Sequence, residues 1–166
     1  MGSLFEYAYS FIVCFHYIIG YLNALVIMLA ILRVHRFGAG TAVYLFYAGT
    51  GVFIEYYMEW VLKPTLIAPW AAILWALGGL VTGFAADLAF KFLPASLDLR
   101  RRSIITGVVI GCVDFLSVLA ILAFLYVNPV PAVAHILRGV EIMLPLNLIM
   151  CGFGGYTAYA IITEKN

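Results

Sequence analysis

Four carboxylates, Glu55, Glu59, Asp87 and Asp114, stand within or close to long apolar runs of a 166-residue chain. An acidic group at bilayer depth is costly unless it is neutralised, paired or hydrated, so each of these is expected to face protein or water rather than lipid. A carboxyl group held in such a place can exchange a proton, hold a cation or serve as a general acid.

Helical spacing arranges these acids on defined faces. Tyr47, Gly51, Glu55 and Glu59 follow one another at i+4 and make a polar stripe on an otherwise apolar run. Gly79, Gly83 and Asp87 share one face, and Gly107, Gly111 and Asp114 share another, so each acid sits beside small residues that let helices approach closely. Asn147, Cys151 and Gly154 or Gly155 line a further face, and Asn23 adds an amide from the first run. The pattern predicts a central polar cluster, with Glu55, Glu59, Asp87, Asp114, Asn147, Asn23 and Tyr47 as the residues that would bind a substrate or ion.

The acids differ in their local company. Glu59 precedes Lys63 by four residues and Asp87 precedes Lys91 by four, so an ordinary helical ion pair would account for either. Glu55 and Asp114 have no basic residue within a helical turn and carry the stronger functional expectation. His16 lacks a partner histidine at matching depth, because His35 and His135 fall in expected loops near opposite surfaces; no metal and no cofactor is expected. Cys14, Cys112 and Cys151 lie singly in separate apolar runs and read as small buried hydrophobes. No phosphate loop, serine-hydrolase elbow or zinc-helix motif is present.

The elements that must position these residues follow from composition. With 66% hydrophobic and 10% charged residues and a mean hydropathy of +1.09, the chain excludes a water-soluble fold, for which about 25% charged residues is usual. The net charge of +1 excludes nucleic acid as a partner. Runs near 8-32, 40-62, 67-91, 104-127 and 142-162 are long enough to span, which predicts an all-α polytopic bundle of five transmembrane helices in a single domain, 1-166. The amino terminus lacks the basic region of a secretory signal and is expected to be kept as helix.

Charge orients the bundle. Arg33, Arg36, Lys91, Arg100, Arg101, Arg102 and Lys165 fall on one side and only Lys63 and Arg138 on the other, which predicts an outside amino terminus and a cytoplasmic carboxyl terminus in a multi-pass protein of the cell membrane. Trp60, Trp70 and Tyr126 fall near span ends, where amphipathic rings settle. Pro64 and Pro69 restrict the second turn, and Pro129 and Pro131 are expected to stop the fourth span. Residues 131-145 are expected to form a structured loop, with a short interfacial helix over Arg138 and Glu141 as the alternative.

The stretch Ala76-Leu77-Gly78-Gly79-Leu80-Val81-Thr82-Gly83-Phe84-Ala85-Ala86-Asp87, with Leu146-Asn147-Leu148 to Gly154-Gly155-Tyr156, resembles spans of the substrate-binding subunits of energy-coupling-factor vitamin transporters. That resemblance implies capture of a vitamin or metal, although those subunits generally have six spans with both ends cytoplasmic. Span two, with Glu55 or Glu59 among Tyr44, Tyr47, Tyr56, Tyr57 and Trp60, resembles small membrane-bound terpenoid cyclases, which implies protonation of an isoprenoid.

Three functions therefore compete. The first is transport of a small solute or cation, or substrate binding for a transporter, with Glu55 and Asp114 lining the cavity. The second is an embedded enzyme acting on a lipid or isoprenoid with Glu55, Glu59 or Asp114 as the acid. The third is a non-catalytic subunit whose polar faces pack against other membrane chains or further copies of itself. Membrane lipids are partners under all three.

Overall fold

The computed structural model describes residues 2-47, 50, 69-125 and 130-164, with side chains described over 17-47, 50, 73-74, 76-121, 141 and 143-164. Glu55 and Glu59 lie outside the described residues. Among the described residues the fold is all-helical: α1 (Gly2–Val34), α2 (39-47), α3 (Pro69–Phe92), α4 (Leu99–Leu125) and α5 (Val130–Thr163). Three stretches, Tyr17–Val34, Leu99–Ile121 and Met143–Thr163, are long and apolar enough to cross a membrane, which is the make-up of a membrane protein.

The helices close into a ring. Helix α5 packs on both α1 and α4, α3 packs on α4, and α2 lies between α1 and α3. Helix association in lipid depends on close packing rather than on apolar burial, because lipid tails are as apolar as leucine. Gly107 and Gly155 meet that need. A Cβ on Gly107 would strike the Cys151 carbonyl of α5, and one on Gly155 would strike the Ser103 carbonyl of α4. On the other side of α5 a Cβ on Gly154 would come within 2.6 Å of the Tyr21 carbonyl oxygen. Successive glycines thus let α5 wedge between two neighbours, and Ala24, Ile27, Met28, Ile110 and Cys151 fill the core beside it.

The connections at the basic end have different origins. Asp98 begins α4 with its own carboxylate, which accepts the Arg101 amide at 2.6 Å and lies 3.4 Å from the Arg101 guanidinium, an ordinary N-cap. Between α1 and α2 the chain reverses within 35-38, with His35 (φ 52°) ending α1 in the left-handed region and Gly38 at φ 93°, where a side chain would be strained.

Helix α5 departs from expectation at its start. Residues 131-145, expected as a loop, are part of one continuous helix from Val130, with Pro145 inside it. Pro131 stands in the first turn, where its missing amide costs nothing, so the residue expected to punctuate span four helps begin α5 instead. His135 is accordingly helical, and Glu141 is exposed.

Gly107→Ala and Gly155→Ala are each expected to destabilise the purified protein by about 1–3 kcal/mol through overpacking against backbone. Gly152→Ala, whose added methyl meets the Val108 side chain at 3.1 Å, is expected to cost less because that contact can move. Thermal unfolding of the three variants in detergent measures the difference.

Candidate functional site

Asp87 is nearly fully buried, at 3% exposure, and its partners lie on α2. One carboxylate oxygen accepts the Gly40 amide at 3.0 Å; the other accepts the Thr41 amide at 2.8 Å and the Thr41 hydroxyl at 2.6 Å. Gly40 and Thr41 are the second and third residues of α2, the positions whose amides an N-cap side chain normally satisfies. Gly38 stands at the cap position and has no side chain, so α3 provides the cap. The negative charge also faces the positive end of the α2 dipole.

The expected Asp87–Lys91 ion pair is not the arrangement found. The Lys91 ammonium lies 4.9 Å from the Phe37 ring centre and 5.9 Å from that of Phe92, at the exposed end of α3. Spacing along one helix placed a base within reach, but a neighbouring helix offered three donors at closer range. Gly83 and Gly79 continue the same face: a Cβ on Gly83 would lie 2.9 Å from the Gly40 carbonyl, and one on Gly79 would lie 2.6 Å from the Tyr44 ring.

That contact seats Tyr44, which joins three helices. The buried Tyr44 hydroxyl donates to Asp114 Oδ1 of α4 at 3.2 Å and accepts from Asn23 Nδ2 of α1 at 3.3 Å. A phenol can do both at once. Asp114 follows Leu99 by fifteen residues, about 22 Å along the helix axis, and lies inside the Leu99–Ile121 stretch that is long and apolar enough to cross a membrane. The carboxylate is half-buried.

Asn147 of α5 completes the polar centre next to this relay. It is fully buried, donates through Nδ2 to the Gly111 carbonyl of α4 at 2.9 Å, and takes a 3.7 Å contact from the Cys151 thiol on Oδ1. A Cβ on Gly20 of α1 would lie 2.7 Å from that Oδ1, so the amide occupies space left by a glycine on the facing helix. Asn147 thereby satisfies a helix carbonyl and anchors α5, while the Tyr44 hydroxyl and the Asp114 carboxylate meet across α2 and α4.

A cleft of about 170 Å³ opens between α1 and α2. Ile19, Leu22, Val26 and Val43 give it apolar walls, while Asn23, Tyr44 and the exposed Tyr47 supply polar groups. Asp114 does not line this cleft and meets it through Tyr44. Its volume is comparable to the cavity of about 150 Å³ that accepts benzene in an engineered protein.

Among the expected site residues, the structure brings Asn23 and Asp114 together through Tyr44, sets Asn147 beside them and puts Tyr47 on the cleft rim. Asp87 is committed to the end of α2. The sequence pattern offers Tyr44 only as one aromatic ring among several; its place one helical turn after Thr41 and Gly40 is the signal that it shares their inward face. Among the described residues no group of three or more His, Cys, Asp or Glu is placed to hold a metal ion. Comparison with protein-family models, with curated proteins and with solved structures returns no match.

Asp87→Ala is expected to lower stability by about 1–3 kcal/mol, because it strands buried donors at the start of α2. Lys91→Ala is expected to cost less than about 1 kcal/mol, since it removes only an exposed contact with aromatic rings. Thermal unfolding of both variants measures the contrast; a larger loss from Lys91→Ala would show that the ammonium is the partner that matters.

Proposed function

We propose that this chain is a polytopic membrane protein of five crossings that binds and moves a small solute, or binds it on behalf of a transporter. The observation that carries this reading is the hydrogen-bonded sequence Asn23–Tyr44–Asp114, which links a carboxylate at bilayer depth to a ring-sized cleft. An ionisable group within a helical bundle marks a substrate or proton pathway more often than a packing device, given its cost in hydrocarbon.

Each residue has a distinct role in this reading. The aliphatic walls hold the apolar body of the solute, and Asn23 and Tyr47 meet its polar end. Tyr44 passes the state of Asp114 to the cleft: an ionised Asp114 holds the phenol proton on its own side, while a protonated one can donate back and free the phenol toward the occupant. Binding and proton uptake are then coupled through one hydroxyl. Charge supports the orientation, since the ends of α1, α3 and the start of α4 carry Arg33, Lys91 and Arg100 to Arg102 on one side of the bundle.

Native mass spectrometry of the gently extracted chain tests the assignment. The chain is expected to retain a defined small molecule, and Asp114→Asn and Tyr44→Phe are each expected to weaken retention by about tenfold or more, the value of a hydrogen bond to a charged group, with helicity unchanged. Equal retention by the variants would sink the reading. A chain that holds no small molecule and leaves the membrane in fixed stoichiometry with other proteins would replace it with the subunit reading. Proton coupling is separately expected to show as solute uptake into proteoliposomes that responds to an imposed pH gradient in wild type and not in Asp114→Asn.

A further inference from the structure

A second groove, of about 440 Å³, runs between α4 and α5 away from the Tyr44 cleft. Arg100, Ile104 and Val108 form one wall at i+4 spacing, and Leu148, Gly152 and Tyr156 form the other at the same spacing. Each wall advances eight residues from its first member to its last, about 12 Å of helix. Gly152 leaves the floor without a side chain, and the Arg100 guanidinium stands at one end, 5.0 Å over the Tyr156 ring.

The three consecutive arginines at the start of α4 differ in what they face. Arg101 is paired with Asp98, and Arg102 turns inward to the Phe90 carbonyl and ring. Among the described residues Arg100 has no carboxylate partner, and its charge stands exposed at the mouth of an apolar groove. A cation at the end of a short, open apolar groove, at the charged edge of a membrane bundle, matches an amphiphile with an anionic head and a hydrocarbon tail. A partner helix fits less well, because the groove is much shorter than a spanning helix and an apolar helix would leave the guanidinium unmatched.

We propose that the α4–α5 groove is a binding site for one anionic glycerophospholipid, with its phosphate on Arg100 and an acyl chain along Ile104, Val108 and Gly152. Tyr156 holds the guanidinium over its ring face, so that the charge is presented to the groove before a lipid arrives. The site is independent of the solute cleft and shares no residue with it.

The test uses the purified full chain in detergent, titrated with phosphatidylglycerol or phosphatidylcholine of the same acyl composition and read by native mass spectrometry. One phosphatidylglycerol is expected to be retained in preference to phosphatidylcholine, and Arg100→Gln is expected to weaken that retention about fivefold, the equivalent of one interfacial basic residue near an anionic lipid. Arg101→Gln removes the same net charge one residue away from the groove and is expected to change retention by less than about twofold. Circular dichroism is expected to be the same for all three proteins. Equal losses from Arg100→Gln and Arg101→Gln, or equal retention of the two lipids, would overturn the proposal and leave only unspecific attraction to the bilayer.

Discussion

Helix α2 begins at Ala39 with no side chain of its own to satisfy its first amides, and Asp87 of α3 supplies the acceptor. Asp87 lies only five residues, about 7 Å of axis, from the end of α3 and is nearly fully buried, so water is a poor substitute. A buried amide without a partner costs about as much as a lost hydrogen bond and more in hydrocarbon. This need fixes where the end of α2 must sit on α3. Gly83 then receives the α2 backbone, Gly79 receives the Tyr44 ring, and the ring's hydroxyl arrives beside Asp114. Two carboxylates that each follow a pair of spaced glycines thereby serve different ends: one caps the start of α2, and the other accepts from a phenol beside a cleft.

The opposite half of the ring depends on backbone proximity. Gly107, Gly154 and Gly155 let α5 approach α4 and α1 at distances a methyl group would forbid, and the fully buried Asn147 bonds across the α4 contact. Such small-residue packing and interhelical bonding suit helices that gain nothing from moving out of lipid. The glycine at 20, which makes room for the Asn147 amide, belongs to the same arrangement. Rigid packing there holds α1 and α4, and hence Asn23 and Asp114, in position for Tyr44.

Particular residues show where pattern was enough. The series Gly79–Gly83–Asp87, at i+4 throughout, and Gly107–Gly111–Asp114, at i+4 and then i+3, are readable because a helix carries residues at those spacings along one face; in the structure the first meets α2, while the second sets its glycines on α5 and its acid on Tyr44 of α2. The fate of Asp87 was not readable, because its partners are 46 and 47 residues away and Lys91 offered a nearer local explanation. Asp98 is the converse: its carboxylate caps the helix that it begins, a bond made within one turn of chain. The prolines around α5 are ambiguous for a related reason. A proline marks either the end of one helix or the first turn of the next, and chain direction alone does not choose between Pro131 as terminator and Pro131 as initiator.

Sequence by itself determined that the chain is helical and of membrane composition, since run length and hydropathy are local and a backbone in lipid must satisfy its own hydrogen bonds. It also determined which small and polar residues share a face. Tertiary structure alone decided that Asp87 caps α2, that Tyr44 joins Asn23 to Asp114, and that Arg100 differs from Arg101 and Arg102. Those outcomes depend on which helix lies opposite and at what height. Interhelical hydrogen bonds form over only about 3 Å, and a helix advances 1.5 Å with each residue, so a small change in relative height gives every polar group a different partner.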